Sequence, residues 1–207
     1  MGNKVDNFKN KSKSWDMNSK IVQNAQTIAE LIVKNIKLDK SMEVMDFGAG
    51  TGLLSYCVAP YVSKIIAVDN SPSMLLEFQS KCDDFSCETE VLEKDLSVDT
   101  IDRKFDGIIS SMTIHHLEDI PALFSKFYAM LNDDGFIAIA DLDSEDGTFH
   151  SDNTGVHHHG FDRKVLEQSA KESDFKDVRF DLASTINKPH QTFTVFLLTA
   201  VKNSDTF

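Results

Sequence analysis

The chain has 207 residues, of which 41% are hydrophobic, so it is long enough for one α/β domain with a sizeable core and short for two domains. Its net charge of −12 is unevenly shared, because residues 1–20 carry +3 and the rest of the chain therefore carries −15. An acidic body repels nucleic-acid phosphates, and we interpret the basic start as a solvated terminus. We therefore expect a small-molecule substrate and no nucleic acid.

Cysteine content and hydropathy bear on the compartment. Cys57, Cys82 and Cys87 are odd in number and lack C-x-x-C spacing, which argues against a disulfide framework and a structural zinc site. No apolar run approaches the roughly 18 residues of a membrane span, and the polar start lacks the apolar centre of a signal peptide. We expect a cytoplasmic protein without a membrane partner, and the sequence leaves its oligomeric state open.

The first predicted element is an amphipathic helix from Ser19 to Asn35. Apolar residues at helical spacing form one stripe along it: Ile21, Ala25, Ile28, Ala29, Ile32 and Ile36. We expect this helix to cover one end of a sheet. The chain is accordingly divided into an N-terminal basic extension with a covering helix, residues 1–40, and a binding domain, residues 41–207.

A glycine-rich turn follows the first predicted strand. The segment Val44 to Leu54 ends its apolar run at Asp46 and then carries three glycines, Gly48, Gly50 and Gly52, which let the backbone turn sharply and approach a bound molecule. A second apolar segment ends at Asp69, where nucleotide-binding α/β folds place an acid for ribose hydroxyls. The pattern predicts a ligand site between two strand ends.

The ligand predicted for this turn is a cation-bearing one. A dinucleotide site has the spacing G-x-G-x-x-G, whereas the third glycine here comes one residue early, and Asp46 would repel a pyrophosphate. S-adenosylmethionine carries a sulfonium and an ammonium, has no phosphate, and has a ribose that a carboxylate can hold. The two acids therefore favour S-adenosylmethionine.

The remaining elements alternate between helix and strand. Ser71-Pro72 and Asp119 with Pro121 are typical helix starts, the second for a helix over residues 120–131. Residues 135–140 read as a buried strand, and Asp162 is the predicted cap of a helix that runs to Ser169. Two further strands, residues 177–185 and 191–200, are separated by the break at residues 187–189.

Four ordered segments resemble the motifs of the class I S-adenosylmethionine-dependent methyltransferases. They are residues 46–52, residues 67–74, Leu92 to Asp95, and residues 105–110 followed by the helix, turn and strand of residues 122–141; the match spans Ser41 to Ala200. The resemblance implies an α/β, Rossmann-like, seven-stranded, mostly parallel sheet with helices on both faces and an antiparallel C-terminal strand. It also implies methyl transfer from S-adenosyl-L-methionine.

The resemblance assigns roles to residues matched one by one. Asp46 orients the ammonium, the glycine turn approaches the methionine moiety, and Asp69 accepts hydrogen bonds from the ribose. The other residues expected around the cofactor are Ala49, Asn70, Met74, Asp95 and Leu96, with Ser110 and Ser111 as the floor beneath the methyl group. A narrower resemblance, carried by residues 14–16, 141–143, 149–150 and 156–162, is to a subgroup of small, uncharacterised class I methyltransferases, and it implies no substrate.

Histidines form the second informative pattern. His115 and His116 follow the fourth strand, and His150 with His157 to His159 follows the fifth, so both groups lie at strand ends where a ligand crevice forms. An imidazole near its ordinary pKa of ~6.5 can accept a proton from an acceptor at neutral pH. We therefore predict His115 or His116 as a general base for an oxygen, nitrogen or sulfur nucleophile.

Two interpretations of the later histidines stay open. His150, His157 and His159 with Asp141 or Asp143 have the chemistry of a transition-metal site, but we favour a polar lid over the acceptor and predict no metal. Trp15 is either an aromatic wall of the same pocket or an anchor of the N-terminal segment.

Two alternative functions also stay open. One is aminopropyl transfer to a polyamine, suggested by the acidic segment from Asp141 to Asp152. The other is a non-catalytic S-adenosylmethionine-binding module that acts through a partner protein.

Overall fold

A single seven-stranded sheet organises the chain. The structure is a computed structural model that describes residues 6, 8–189 and 191–203, so residues 1–5 and 7 of the predicted basic extension lie outside the described residues. The strand order is β3-β2-β1-β4-β5-β7-β6, with β1 to β5 parallel and β7 antiparallel to both β5 and β6. The strands are β1 Glu43–Phe47, β2 Lys64–Asp69, β3 Glu88–Glu93, β4 Phe105–Ser111, β5 Leu131–Leu142, β6 Lys176–Lys188 and β7 Gln191–Val201.

Six α-helices flank the sheet among the described residues: α1 Ser12–Trp15, α2 Ser19–Asn35, α3 Leu53–Val58, α4 Pro72–Gln79, α5 Ile120–Met130 and α6 Arg163–Glu172. Three of the predicted helix starts are confirmed by their capping bonds. The side chains of Ser71, Asp119 and Asp162 each accept a hydrogen bond from a backbone N–H of the following turn. The predicted bounds of α2 are also confirmed, and its buried side chains come from the predicted stripe.

The core lies on both faces of the sheet. On one face Met45, Ile66 and Phe127 belong to a buried cluster that includes residues of α5 and α6. On the other face Val44 and Ile65 pack with residues of α2 and α3. Neighbouring residues of one strand point to opposite faces, so central strands covered on both sides become continuously apolar, which is the pattern that β1 and β2 show.

Several element ends differ from the sequence prediction. Strand β5 begins at Leu131 and includes the polar residues before Gly135 that were predicted as a turn. Its register against β4 shifts between Phe105 and Gly107, and this irregularity accommodates the extra residues in the strand. Strand β6 extends to Lys188, because pairing with β7 continues up to Lys188 and Gln191. Helix α6 runs three residues beyond the predicted end, and the short helix α1 was not predicted.

The strand order positions the site. β1 lies between β2 and β4, so the chain leaves β1 toward one side of the sheet and later returns to its other side. Crevices form at such a switch point, beyond the carboxyl ends of the strands. The three cysteines are free, and in the described part of the chain no helix is long and apolar enough to cross a membrane.

Candidate active site

The glycine turn after β1 is held in left-handed backbone conformations. Gly48, Gly50 and Gly52 have φ of 69°, 55° and 88°, a region that disfavours residues with a side chain. A Cβ at Gly48 would lie 2.1 Å from Thr113, and one at Gly52 would lie 2.6 Å from Phe78. Of the three glycines, only Gly50 would have its Cβ in open space, and it lines the cavity described below.

Asp46 is buried beneath that turn. It is 1% exposed, and the Ser55 hydroxyl donates to its Oδ2 at 2.6 Å. Burial, helped by the nearby charge of Asp69, raises its pKa to about 7, while the bond from Ser55 acts in the opposite direction. A carboxylate in this state is stabilised when a cation such as an ammonium binds against it.

Asp69 closes β2 on the other side of the turn. Its Oδ2 accepts from the backbone N–H of Gly50 at 2.8 Å, and its Oδ1 accepts from that of Ser71 at 2.8 Å. Burial raises its pKa, with the backbone hydrogen bonds opposing that effect. The carboxylate is thus anchored by amides.

A cavity of about 830 Å³ extends from the glycine turn to the histidines. Ser111 lines it, whereas Ser110 does not, because the Ser110 hydroxyl is fully buried and donates to the Phe47 carbonyl. The structure therefore does not bring Ser110 to the cavity wall. The other predicted residues that the structure brings to the cavity wall are Trp15, Asp46, Gly48, Ala49, Gly50, Asp69, Asn70, Met74, Asp95, Leu96, His115, His116, His150 and His157.

Two more predicted residues lie outside the cavity wall. Gly52 lies against the Phe78 ring at the start of α3, where a side chain would clash, and it is not part of the cavity wall. The ring of His159 lies against Gly147, about 3 Å from where a Cβ there would stand, and it does not join the other histidines.

His115 and Asp141 form a buried pair. The Nδ1–H of His115 donates to Oδ1 of Asp141 at 2.8 Å, and the two side chains are 1% and 0% exposed. The backbone N–H groups of His115 and Leu142 also donate to this carboxylate. With Nδ1 engaged, the lone pair lies on Nε2, which is buried and has no hydrogen-bond partner.

His116 and His150 pack around this pair. Their ring centroids lie 4.2 Å and 4.9 Å from that of His115. Burial, reinforced by the neighbouring imidazoles, lowers the pKa of both, that of His150 to about 4. The Nδ1–H of His116 donates to the Gly155 carbonyl at 2.7 Å, whereas Nε2 of His150 is buried without a partner.

The carboxylates considered for a metal site are engaged elsewhere. Asp141 binds His115, and Asp143 forms two hydrogen bonds with the Arg163 guanidinium and one with Thr194. His158 contacts the Glu118 carbonyl. Within the described ranges, no three histidine, cysteine or acidic side chains come together in a metal-binding group.

The N-terminal strap, defined as Asp6 with residues 8–18, contributes Phe8, Lys11, Trp15 and Asn18 to the cavity wall. Asp6 accepts hydrogen bonds from Ser71 and Ser73 at the start of α4. Asp16 accepts from the Thr51 hydroxyl of the glycine turn and pairs with Lys81. Trp15 packs edge-on against Phe8, whose ring contacts His116, so the tryptophan both lines the cavity and holds the strap in place.

Sequence reasoning missed three features of this site. Asp141 was considered as a metal ligand, but the order that places β5 beside β4 makes it the partner of His115, 26 positions earlier. Lys188 and Phe149 also line the cavity, and only the pairing of β6 with β7 brings Lys188 there. The pairing of Asp141 with His115 had one signal in the sequence, which is that both residues lie at the ends of predicted parallel strands.

The strand order, with an antiparallel pair at one edge, is that of the class I, Rossmann-like S-adenosylmethionine-dependent methyltransferases. A family model described as a methyltransferase domain matches residues 21–188. The chain therefore belongs to that methyltransferase family, and S-adenosylmethionine is the methyl donor of its class.

Individual proteins show the same relationship. A methyltransferase of Schizosaccharomyces pombe is 30% identical over 144 residues, which is 62% of this chain and 51% of the relative. Phosphoethanolamine N-methyltransferase 1 of Zea mays is 30% identical over 56% of this chain and 24% of its own length. The chain thus spans about half of the first relative and a quarter of the second.

A solved structure supports the fold. Magnesium protoporphyrin IX methyltransferase from Synechocystis PCC 6803, determined with bound S-adenosylmethionine, aligns with a TM-score of 0.65 over 98% of this chain and 87% of its own. The two sequences are 17% identical.

Proposed function

We propose that the chain transfers the methyl group of S-adenosylmethionine to an oxygen, nitrogen or sulfur atom of a small molecule, with His115 as general base. The observation that carries the proposal is the His115–Asp141 pair, because His115 lines the same cavity as the glycine turn and Asp69. Such an arrangement would hold the base against the nucleophilic atom of the acceptor. It would also hold that atom beside the methyl donor.

The donor half of the cavity suits S-adenosylmethionine. The open face of Gly50, the buried Asp46 and the anchored Asp69 provide backbone approach, an ammonium partner and a ribose partner. Asn70, Met74, Asp95 and Leu96 would then border the adenosine. When bound, the sulfonium supplies an electrophilic methyl group and a neutral leaving group.

The acceptor half identifies His115 as a better base than His116. The Asp141 carboxylate orients the His115 ring and stabilises the imidazolium that forms when Nε2 takes a proton. His116 has only a backbone carbonyl as partner, and burial lowers its pKa. The pair therefore supports His115 rather than His116 in the proposed role of general base.

The size of the cavity supports a small acceptor. The N-terminal strap lines this cavity of about 830 Å³ and is tied to both α4 and the glycine turn. The maize relative acts, by its name, on phosphoethanolamine, a small molecule. A small molecule fits inside a cavity of this volume, whereas a folded macromolecule does not.

The carboxylates of the acidic segment after β5 accept hydrogen bonds from their own loop. Glu145 accepts from three backbone N–H groups through Oε2, and Asp146 and Asp152 bind the adjacent Thr148 and Thr154. These carboxylates organise the loop itself. This arrangement favours methyl transfer over aminopropyl transfer.

Incubation of the protein with S-adenosylmethionine and a metabolite extract tests the function. We expect S-adenosylhomocysteine to accumulate together with a methylated small molecule, detected by mass spectrometry with a deuterated methyl donor. Tight donor binding without any product would instead identify a non-catalytic module.

His115→Gln tests the base. We expect turnover to fall by about 10²- to 10⁴-fold while donor affinity changes little, because the variant removes proton transfer and leaves the donor half intact. His116→Gln is the matched control, and Asp141→Asn should give a smaller loss and a shifted pH profile. If His115→Gln retains full turnover with an unchanged pH profile, His115 is not the base.

A further inference from the structure

A row of four side chains lies at the acceptor end of the cavity. The Lys188 Nζ lies 4.1 Å from the Phe149 ring centroid, Phe149 lies 4.8 Å from His150, and His150 lies 4.9 Å from His115. All four line the same cavity. The row leads from an ammonium at one end to the proposed base at the other.

The ammonium of Lys188 has no anionic partner within reach in the described part of the chain. Its contacts are with the faces of Phe149 and Phe193, and partial burial lowers its pKa. Glu145 exerts an opposing electrostatic effect on it, but no ion pair forms, and the Oε2 of that carboxylate is held by three backbone amides. Lys188 therefore stands at the cavity wall without an ion-paired acceptor among the described residues.

Two buried nitrogen atoms of the same row also lack hydrogen-bond partners. They are Nε2 of His150 and Nε2 of His115. Buried polar atoms in folded proteins almost always form hydrogen bonds, so two exceptions on imidazole rings that line the cavity point to a bound partner. The neutral His150 ring can present an N–H to an anion, whereas His115 presents a lone pair.

We propose that the methyl acceptor carries a carboxylate or phosphate group, which Lys188 and His150 bind while the nucleophilic atom faces His115. This inference rests on the proposed function, because it names a second chemical group on the same methyl acceptor. The anionic group is separate from the atom that is methylated, so it fixes the orientation of the acceptor along the row.

The transfer step balances without a further reactant. The lone pair of the acceptor heteroatom forms the new bond to the methyl carbon as the carbon–sulfur bond breaks, and sulfur retains that electron pair as a neutral thioether. The proton lost by the heteroatom passes to Nε2 of His115, where the imidazolium faces Asp141. The anionic group at Lys188 undergoes no chemical change.

Binding of simple anions tests this subsite without requiring methyl transfer. Calorimetry would titrate inorganic phosphate and, separately, succinate into the protein saturated with S-adenosylhomocysteine. The variants are Lys188→Gln, Lys188→Arg and His150→Gln, with Lys164→Gln as the matched control because Lys164 is exposed on α6 and outside the cavity wall.

We expect one of the two anions to bind the wild type and the Lys164→Gln variant alike. Lys188→Gln should weaken that binding by roughly two- to fivefold, as expected for loss of a partly exposed charge, and Lys188→Arg should retain it. His150→Gln should weaken it without abolishing it. A preference for phosphate indicates a phosphorylated acceptor, and a preference for succinate indicates a carboxylic acid.

Absence of anion binding, or equal affinity in Lys188→Gln and Lys164→Gln, would overturn the subsite. The result is independent of the metabolite assay. Anion binding without product formation would support the anion subsite and contradict the proposed function. Product formation with no effect of Lys188→Gln on either assay would support the proposed function and contradict the subsite.

Discussion

At the scale of single residues, Asp46 shows how a binding site costs stability. Its pKa is about 7 in the folded chain, against an ordinary value of 3.8 for an aspartate side chain. Between these values the unfolded chain has released the proton and the folded chain still holds it. Raising the pH through this window therefore lowers the free energy of unfolding. Above about pH 7 the loss of stability stays constant.

We expect Asp46→Asn to be more stable than the wild type, with the difference growing by on the order of 2 to 3 kcal/mol between about pH 5 and pH 8. The amide can still accept from Ser55, so local packing is retained. Urea denaturation at the two pH values would measure the difference, and calorimetry should show weaker donor binding in the variant. A stability difference that does not change with pH would show that Asp46 titrates normally in the folded chain.

Residue identity alone revealed part of the site. The acids near the glycine turn predicted the donor half of the cavity, because Asp46 and Asp69 lie at strand ends that the resemblance aligns with known motifs. The partner of His115 was out of reach, since Asp141 lies 26 positions away and becomes its neighbour only when β4 and β5 pair. Lys188 carries no sequence signal, because exposed lysines are common and its unpartnered state is a property of the folded chain.

At the scale of elements, the N-terminal strap is the segment that ties the chain start to the cavity. Asp16 links it to Thr51 of the glycine turn and to Lys81 beyond α4. Asp16 and Lys81 are both partly exposed, so their ion pair contributes little to stability. Because the strap lines the cavity, we expect these contacts to break when a bound product leaves.

We expect Asp16→Asn to accelerate dissociation of S-adenosylhomocysteine by roughly 3- to 10-fold, from loss of one partly exposed ion pair and weakening of one hydrogen bond. Stopped-flow fluorescence would report the rate, because Trp15 is the single tryptophan and lies in the strap. Asp102→Asn, at an exposed site outside the cavity wall, is the control. Equal rates in the two variants would mean that the strap does not limit release.

Elements were predicted best where capping and periodicity agree. Helices α2 and α4 begin at polar caps followed by apolar stripes, and the structure has them there. The long strands β5 and β6 extend past their predicted ends because neighbouring strands continue to pair with them, and register shifts admit residues such as Asp134 with a positive φ. Such extensions depend on partners that are distant in sequence, so local patterns do not reveal them.

At the scale of the whole molecule, the sheet couples the donor site to global stability. The glycine turn and Asp69 are extensions of β1 and β2, and both strands lie in the buried core. A ligand that binds only the folded chain adds its binding free energy to the free energy of unfolding. Occupancy of the cavity should therefore be visible as a rise of the melting temperature.

S-adenosylhomocysteine at about 100 times its dissociation constant should stabilise the wild type by about 2.7 kcal/mol, or roughly 5 to 11 °C for a chain of this length. Asp69→Ala removes a charged partner of the ribose, which is worth ~1.5 to 3 kcal/mol, or roughly tenfold to a hundredfold in affinity. At the same ligand concentration its stabilisation should fall below about 1.5 kcal/mol.

The comparison uses the shift that ligand produces within each variant, because removing a buried carboxylate also changes the melting temperature of the free protein. Asp102→Asn should retain the full wild-type shift, and an undiminished shift in Asp69→Ala would place the donor away from the tip of β2.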